Sequence, residues 1–167
     1  MRFLLLGIGF LWSACGLAAE VSPTLAPFTS DGCSRFPDGT ARQPTLWCGC
    51  CVIHDVAYWQ GGSEAQRRAA DQALEACIQQ VTDSSVLGHL MYWGVRIGGS
   101  PAYATAFRWG YGWSPKRDYG ELTAAEQQQV AARLLEHPVA EEQARVCSEQ
   151  NSTGQIRDEH VNVAPTP

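Results

Sequence analysis

Three of the chain's seven cysteines, Cys48, Cys50 and Cys51, crowd into four positions and run straight on to His54 and Asp55, in WCGCCVIHDVAYWQGG over 47–62. Any fold has to satisfy those thiols, and what they can do depends on the compartment. The start of the chain speaks to that: Arg2 precedes an apolar run over 3–12 and then the small residues SACGLAA. This is the layout of a secretory leader, so residues 1–19 are expected to be a signal peptide. The run is too short to span a bilayer as a helix. A lipoprotein signal at Cys15 is the lesser alternative, because Trp12 stands three positions before it where such signals favour leucine. Export to the medium or the periplasm oxidises thiols. The six cysteines left, Cys33, Cys48, Cys50, Cys51, Cys77 and Cys147, are an even set that predicts disulfides with the connectivity open.

Other readings of the cluster are weaker. A zinc site from Cys48, Cys50, Cys51 and His54 would place its ligands on one helix, where neighbours such as Cys50 and Cys51 diverge by about 100°. Such a set does not surround an ion, and structural zinc sites space their cysteines differently. The net charge of −5 with no basic run argues against nucleic acid. Beyond the leader nothing is apolar enough to predict a transmembrane helix.

Local signals predict one all-α domain over 20–147. Residues 20–30 hold two prolines and read as an extended lead-in, and 31–40, DGCSRFPDGT, is a turn-rich loop. A helix is expected from about Pro44 to Gln60, stopped by Gly61-Gly62. Ser63 and Gln66 form a capping-box pattern that opens a second helix, Glu64 to about Val81. Asp83 is expected to cap a third helix ending at Gly98-Gly99, and Ser100-Pro101 to start a short one through AYATAFRW. Thr123 and Glu126 repeat the capping box before a helix to about Glu136, and Pro138 restarts the chain towards Cys147. Residues 148–167 are polar and read as a disordered tail. No strand is expected.

The Gly61-Gly62-Ser63 turn makes the first two helices an antiparallel hairpin, in which facing residues lie at similar distances from the turn. Cys50 and Cys77 lie at similar levels, and so do His54 and Asp71. The expected fold is therefore a disulfide-stapled antiparallel two-helix core with additional short helices. A Cys50–Cys77 bridge and a His54–Asp71 contact fit the same register. Cys50, His54 and Tyr58 share one helix face, while Cys51 and Asp55 share the adjoining one. A histidine held by a carboxylate is a general base suited to neutral pH. Asp55 points elsewhere and suits a cation, with turn carbonyls of the 31–40 loop as further hard oxygen ligands. That would make the stretch a calcium-binding loop, provided that Cys33 pairs with Cys51.

At these residues the chain resembles the secreted phospholipase A2 family. The family's signature helix reads Cys-Cys-x-x-His-Asp-x-x-Tyr, filled here by Cys50, Cys51, His54, Asp55 and Tyr58. Its second long helix carries an Asp followed six residues later by a Cys, matched by Asp71 and Cys77. The resemblance implies that His54 is the general base, that Asp71 orients it, and that Tyr58 bonds to Asp71. It implies bridges from Cys50 to Cys77 and from Cys51 to Cys33, with Asp55 as a bidentate Ca2+ ligand. The carbonyl ligands would come from Gly32, Ser34 and Phe36, with Asp31 or Asp38 as an alternative carboxylate donor. The implied activity is calcium-dependent hydrolysis of the sn-2 ester of glycerophospholipids at a membrane or micelle interface.

The match covers about 31–81. It departs from the family after Cys33, where SRFPDGT replaces a glycine-rich Cys-Gly-x-Gly-Gly run. That departure supports an alternative, a non-catalytic lipid- or protein-binding module on the same scaffold. Neither spacing nor resemblance assigns Cys48, for which Cys147 is the cysteine left over. Tyr92, Trp93, Phe107, Trp109, Tyr111 and Trp113 are expected mostly in the core, some of them lining an acyl channel or meeting lipid. His89, His137 and His160 show no carboxylate partner at suitable spacing.

Overall fold

The computed structural model describes residues 23–149. The expected leader with Cys15, residues 150–167 of the expected tail, and His160 lie outside the described residues. The described residues are mostly helical: α1 Cys48–Gln60, α2 Glu64–Thr82, α3 Ser85–Gly98 and α4 Ala124–Glu136, followed by a helical stretch over 139–149. Among the described residues no helix is long and apolar enough to cross a membrane.

Both capping boxes form. Ser63 Oγ accepts from Gln66 N while the Gln66 side chain accepts from Ser63 N at 2.7 Å. Thr123 and Glu126 do the same at the start of α4. Two orphan amides are thereby satisfied at each helix start. Gly61 and Gly62 take φ 68° and 136°, values open to glycine at no steric cost, so the chain reverses there. As α1 rises in number its partners on α2 fall: Cys50 meets Cys77, His54 meets Asp71 and Tyr58 meets Arg67. The two helices therefore run antiparallel.

Several boundaries differ from the sequence expectation. α1 begins at Cys48, after a turn over 44–47, because Trp47 N donates to Asp38 O at 3.0 Å and so lies outside a helical ladder begun at Pro44. Asp83 ends α2 in the left-handed region, φ 53°, and Ser84 instead caps α3 through Leu87 N. The expected helix after Pro101 is absent. Residues 101–110 form turns whose end folds back, Trp109 N donating to Gly99 O at 2.9 Å. A small sheet is present where no strand was expected: β1 Thr24–Leu25 pairs antiparallel with β2 Trp113–Ser114. Its partners lie far apart in sequence, and Leu25 and Trp113 are both buried beneath it.

Among the described residues three disulfides staple the fold: Cys33–Cys51, Cys48–Cys147 and Cys50–Cys77. All leave from the first turn of α1, tying it to the 31–40 loop, to the 139–149 helical stretch and to α2. The interior extends beyond the α1–α2 pair. One side of α1 packs Cys48, Val52 and Trp59 against Leu25, Phe28, Trp113, Val130 and Val146. The other side joins Cys50 and Cys51 to Trp47, Leu74, Ile78 and Met91. The buried disulfides belong to both clusters, so the anchor and the core are one construction.

Candidate active site

Asp71 is fully buried, and three helices deliver its partners. From α1, His54 Nε2 lies 2.8 Å from Oδ1, and the Tyr58 hydroxyl donates to the same oxygen at 2.8 Å. From α3, Arg96 donates to Oδ2 at 2.8 Å. On α2 itself Arg67, one turn earlier, stands 3.9 Å from Oδ2. Burial alone would push the Asp71 carboxyl up; the bonds from His54, Arg96 and Tyr58 outweigh it and hold the group below the usual carboxylate range. Asp71 is thus an anion at neutral pH. A proton carried on His54 Nε2 points at it, and Nδ1 remains as the basic nitrogen.

His54 and Asp55 both line a cavity of about 330 Å³. One wall is loop, with Gly32, Cys33, Ser34, Arg35 and Phe36; the other is largely apolar, with Leu74, Leu90, Met91, Val95 and Phe107. Gly32 and Ser34 take φ 78° and 53°, a bent course that turns the loop around its disulfide. The Cys33–Cys51 bridge holds that loop one residue-face away from His54, beside Asp55.

Asp55 is half-buried and accepts from Ser30 Oγ at 2.6 Å. Loss of water pushes its carboxyl up to about 8; the Ser30 bond opposes this, and the charges of Asp31 and Asp38 add to it. A carboxylate in such a place is held back from ionising for want of a positive charge. Asp38 plays a different part. Buried, it accepts the Cys33 amide at 2.9 Å and braces the loop from inside. A Cβ on Gly32 would collide with the Asp38 carboxylate. Asp31 is exposed and accepts from Ser34 Oγ at 2.8 Å. Among the described residues no three His, Cys, Asp or Glu side chains are grouped to hold a metal. A hard-cation site of one carboxylate and backbone carbonyls has a different composition.

The structure therefore brings His54, Tyr58 and Asp55 together with Gly32, Ser34 and Phe36 around one cavity, with Asp71 buried behind His54 and Tyr58. Sequence reasoning missed Arg67, Arg96 and Tyr119. Arg67 is buried and spends its donors on Tyr58 Oη, Tyr119 Oη and the carbonyls of Val95 and Arg96. Its place was readable, since it lies one turn before Asp71 and faces Tyr58 in the hairpin register. No spacing rule connects Arg96 or Tyr119 to the hairpin. His89, for which no carboxylate partner was expected, meets Glu75 at 3.0 Å and accepts from the Trp93 indole at 3.1 Å. That pair joins α2 to α3, which helical spacing along one element does not reveal. Of the aromatic residues, Trp109 and Trp113 are core, Phe107 lines the cavity and Trp93 is exposed. No protein family, curated protein or solved structure matches the chain.

Proposed function

We propose that the chain is a calcium-dependent hydrolase of phospholipase A2 type that cleaves the sn-2 ester of glycerophospholipids. The 2.8 Å contact between His54 Nε2 and Asp71 Oδ1, at the wall of the cavity that Asp55 also lines, carries this reading. His54 Nδ1 takes a proton from a water, whose oxygen attacks the sn-2 carbonyl carbon. Asp71 steadies the imidazolium so formed, and Tyr58 holds the shared oxygen of Asp71 in place. The tetrahedral species collapses by breaking the bond to the glycerol oxygen. His54 returns its proton to that oxygen, giving a fatty acid and a lysophospholipid.

The oxygen donors at Asp55 fit calcium, because the desolvated carboxylate lies among further acidic residues and its hydrogen-bond donor is a neutral hydroxyl. Asp55, with the carbonyls of Gly32, Ser34 and Phe36, would hold the ion. When bound there, calcium supplies the Lewis acid that polarises the ester carbonyl. The apolar wall suits an acyl chain. Leu90, Trp93 and Ile97, exposed on α3 beside it, suit contact with the lipid surface that delivers the substrate.

Fatty acid release from phosphatidylcholine vesicles tests the reading. His54→Gln should lower the rate roughly 10²–10⁴-fold, the usual contribution of a general base, and chelation should abolish it. Release that survives both changes sinks the mechanism. Vesicle binding without hydrolysis would favour the non-catalytic lipid-binding module.

A further inference from the structure

The His54–Asp71 pair carries more support than a dyad requires. Each oxygen of Asp71 has its own set of partners: Oδ1 serves His54 and Tyr58, and Oδ2 serves Arg96. The terminal torsion of an aspartate is soft, with broad wells, so the backbone of α2 alone does not choose which oxygen faces His54. Without Arg96, the cation left beside Oδ2 would be Arg67, whose Nε stands at 3.9 Å, beyond hydrogen-bond range. A fully buried anion would then be under-satisfied on one side and free to turn.

We propose that Arg96 is a positioning residue for the His54–Asp71 pair, with Arg67 as the brace that sets it in place. The proposal rests on the reading of His54 as the base. Arg67 grips Arg96 through its carbonyl oxygen at 2.8 Å and the preceding carbonyl, Val95 O, at 2.9 Å. Its Nε simultaneously donates to Tyr58 Oη at 3.0 Å. One buried guanidinium therefore links the last turn of α3 to the hydroxyl that shares Oδ1 with His54. Arg96 then reaches across from that turn to the other oxygen. The carboxylate is clamped at both ends, and the clamp fixes which imidazole nitrogen carries the proton. A dyad in the wrong tautomer presents a donor to the attacking water and cannot accept its proton.

The groups that face the pair come from every surrounding element. They are Tyr58 on α1, Arg67 on α2 and Arg96 on α3, with Tyr119 behind Arg67, while Asp55, next to His54 on α1, turns to Ser30. Arg35 lines the cavity from the loop. Of these, Arg96 is the cation in direct hydrogen-bond contact with Asp71, so its replacement isolates the effect.

The test is nitrogen-15 NMR of the histidine rings at one fixed pH near neutrality, on the full chain with intact disulfides. His54 is assigned from the His54→Gln spectrum. The wild type should show His54 in the form protonated at Nε2. Arg96→Gln should reduce that form more than about twofold in favour of the other tautomer or of exchange broadening. Arg96→Lys, which keeps a charged donor, should restore it. In the vesicle assay kcat of Arg96→Gln should fall about tenfold or more while KM stays within about twofold, since the residue acts on the pair and not on substrate. A folded Arg96→Gln protein with the wild-type tautomer and kcat overturns the proposal. If Arg96→Gln does not fold, Arg96→Lys decides alone: a folded Lys variant that has lost the Nε2-protonated form also overturns it. The NMR readout needs no catalysis. A tautomer change in a protein that hydrolyses no phospholipid would refute the hydrolase reading and leave Arg96 in its role.

Discussion

At the scale of single residues, two aspartates at the site are pushed in opposite directions by their surroundings. Asp71 meets Arg96, Arg67 and His54, and it ionises readily despite its burial. Asp55 loses water among Asp31 and Asp38, and its carboxyl is raised to about 8. Groups held apart in this way are suited to separate roles. The consequence for stability has a definite sign. Between its ordinary value of 3.8 and about 8, the Asp55 carboxyl is protonated in the folded chain and ionised in the unfolded one. Stability of the calcium-free protein should therefore fall as pH rises through that window. The proposed calcium ion would bind the ionised form, so on that reading excess calcium should flatten or reverse the slope. Melting curves in chelator and in calcium check this, and Asp55→Asn should remove both the slope and tight calcium binding. His54, Asp55, Tyr58 and Asp71 were legible because they lie on two helices joined by a short turn, where register follows from counting. Arg96 and Tyr119 were not legible, since their positions depend on how α3 and the segment after it pack on that hairpin.

Among the elements, α1 and α2 carry the site and α3 closes it. The Cys50–Cys77 bridge spans 27 positions of sequence and locks the register of α1 on α2. Replacing both cysteines with alanine should cost roughly 2–5 kcal/mol, read as a lower Tm, and should loosen the His54–Asp71 contact. At the end of α3 the buried Gly99 approaches the Tyr58 ring so closely that an added Cβ would overlap it. Gly99→Ala should therefore displace Tyr58 from Asp71. Overpacking of this kind costs about 1–3 kcal/mol, and hydrolysis should fall more than vesicle binding does. Capping boxes at Ser63 and Thr123 were legible because each is completed within four residues. The start of α1 was not, since a loop carbonyl, Asp38 O, takes the Trp47 amide. The β1–β2 pairing was hidden for a related reason: two-residue strands have no period of their own, and each strand's partner lies far along the chain.

For the whole molecule, three disulfides gather the loop, α2 and the 139–149 stretch onto the first turn of α1, so the cavity is assembled around one anchor. Beside the apolar wall of that cavity, Val86, Leu90, Trp93 and Ile97 are exposed along α3, at 78%, 58%, 52% and 67%. Their spacing of four, three and four residues makes one stripe. Replacing Trp93 and Ile97 with serine should weaken vesicle binding severalfold while sparing hydrolysis of short-chain monomeric substrate; equal loss on both substrates would contradict a surface role for the pair. Attack on the sn-2 acyl carbon by a water that His54 activates is the step on which the hydrolase reading stands or falls. It is read most directly by mass spectrometry of the products from a phospholipid with different acyl chains at sn-1 and sn-2, incubated with calcium in oxygen-18 water. Oxygen-18 should appear in the released sn-2 fatty acid and not in the lysophospholipid, and His54→Gln should form both products roughly 10²–10⁴-fold more slowly. Release of the sn-1 chain, isotope in the lysophospholipid, or equal product from His54→Gln would rule that step out.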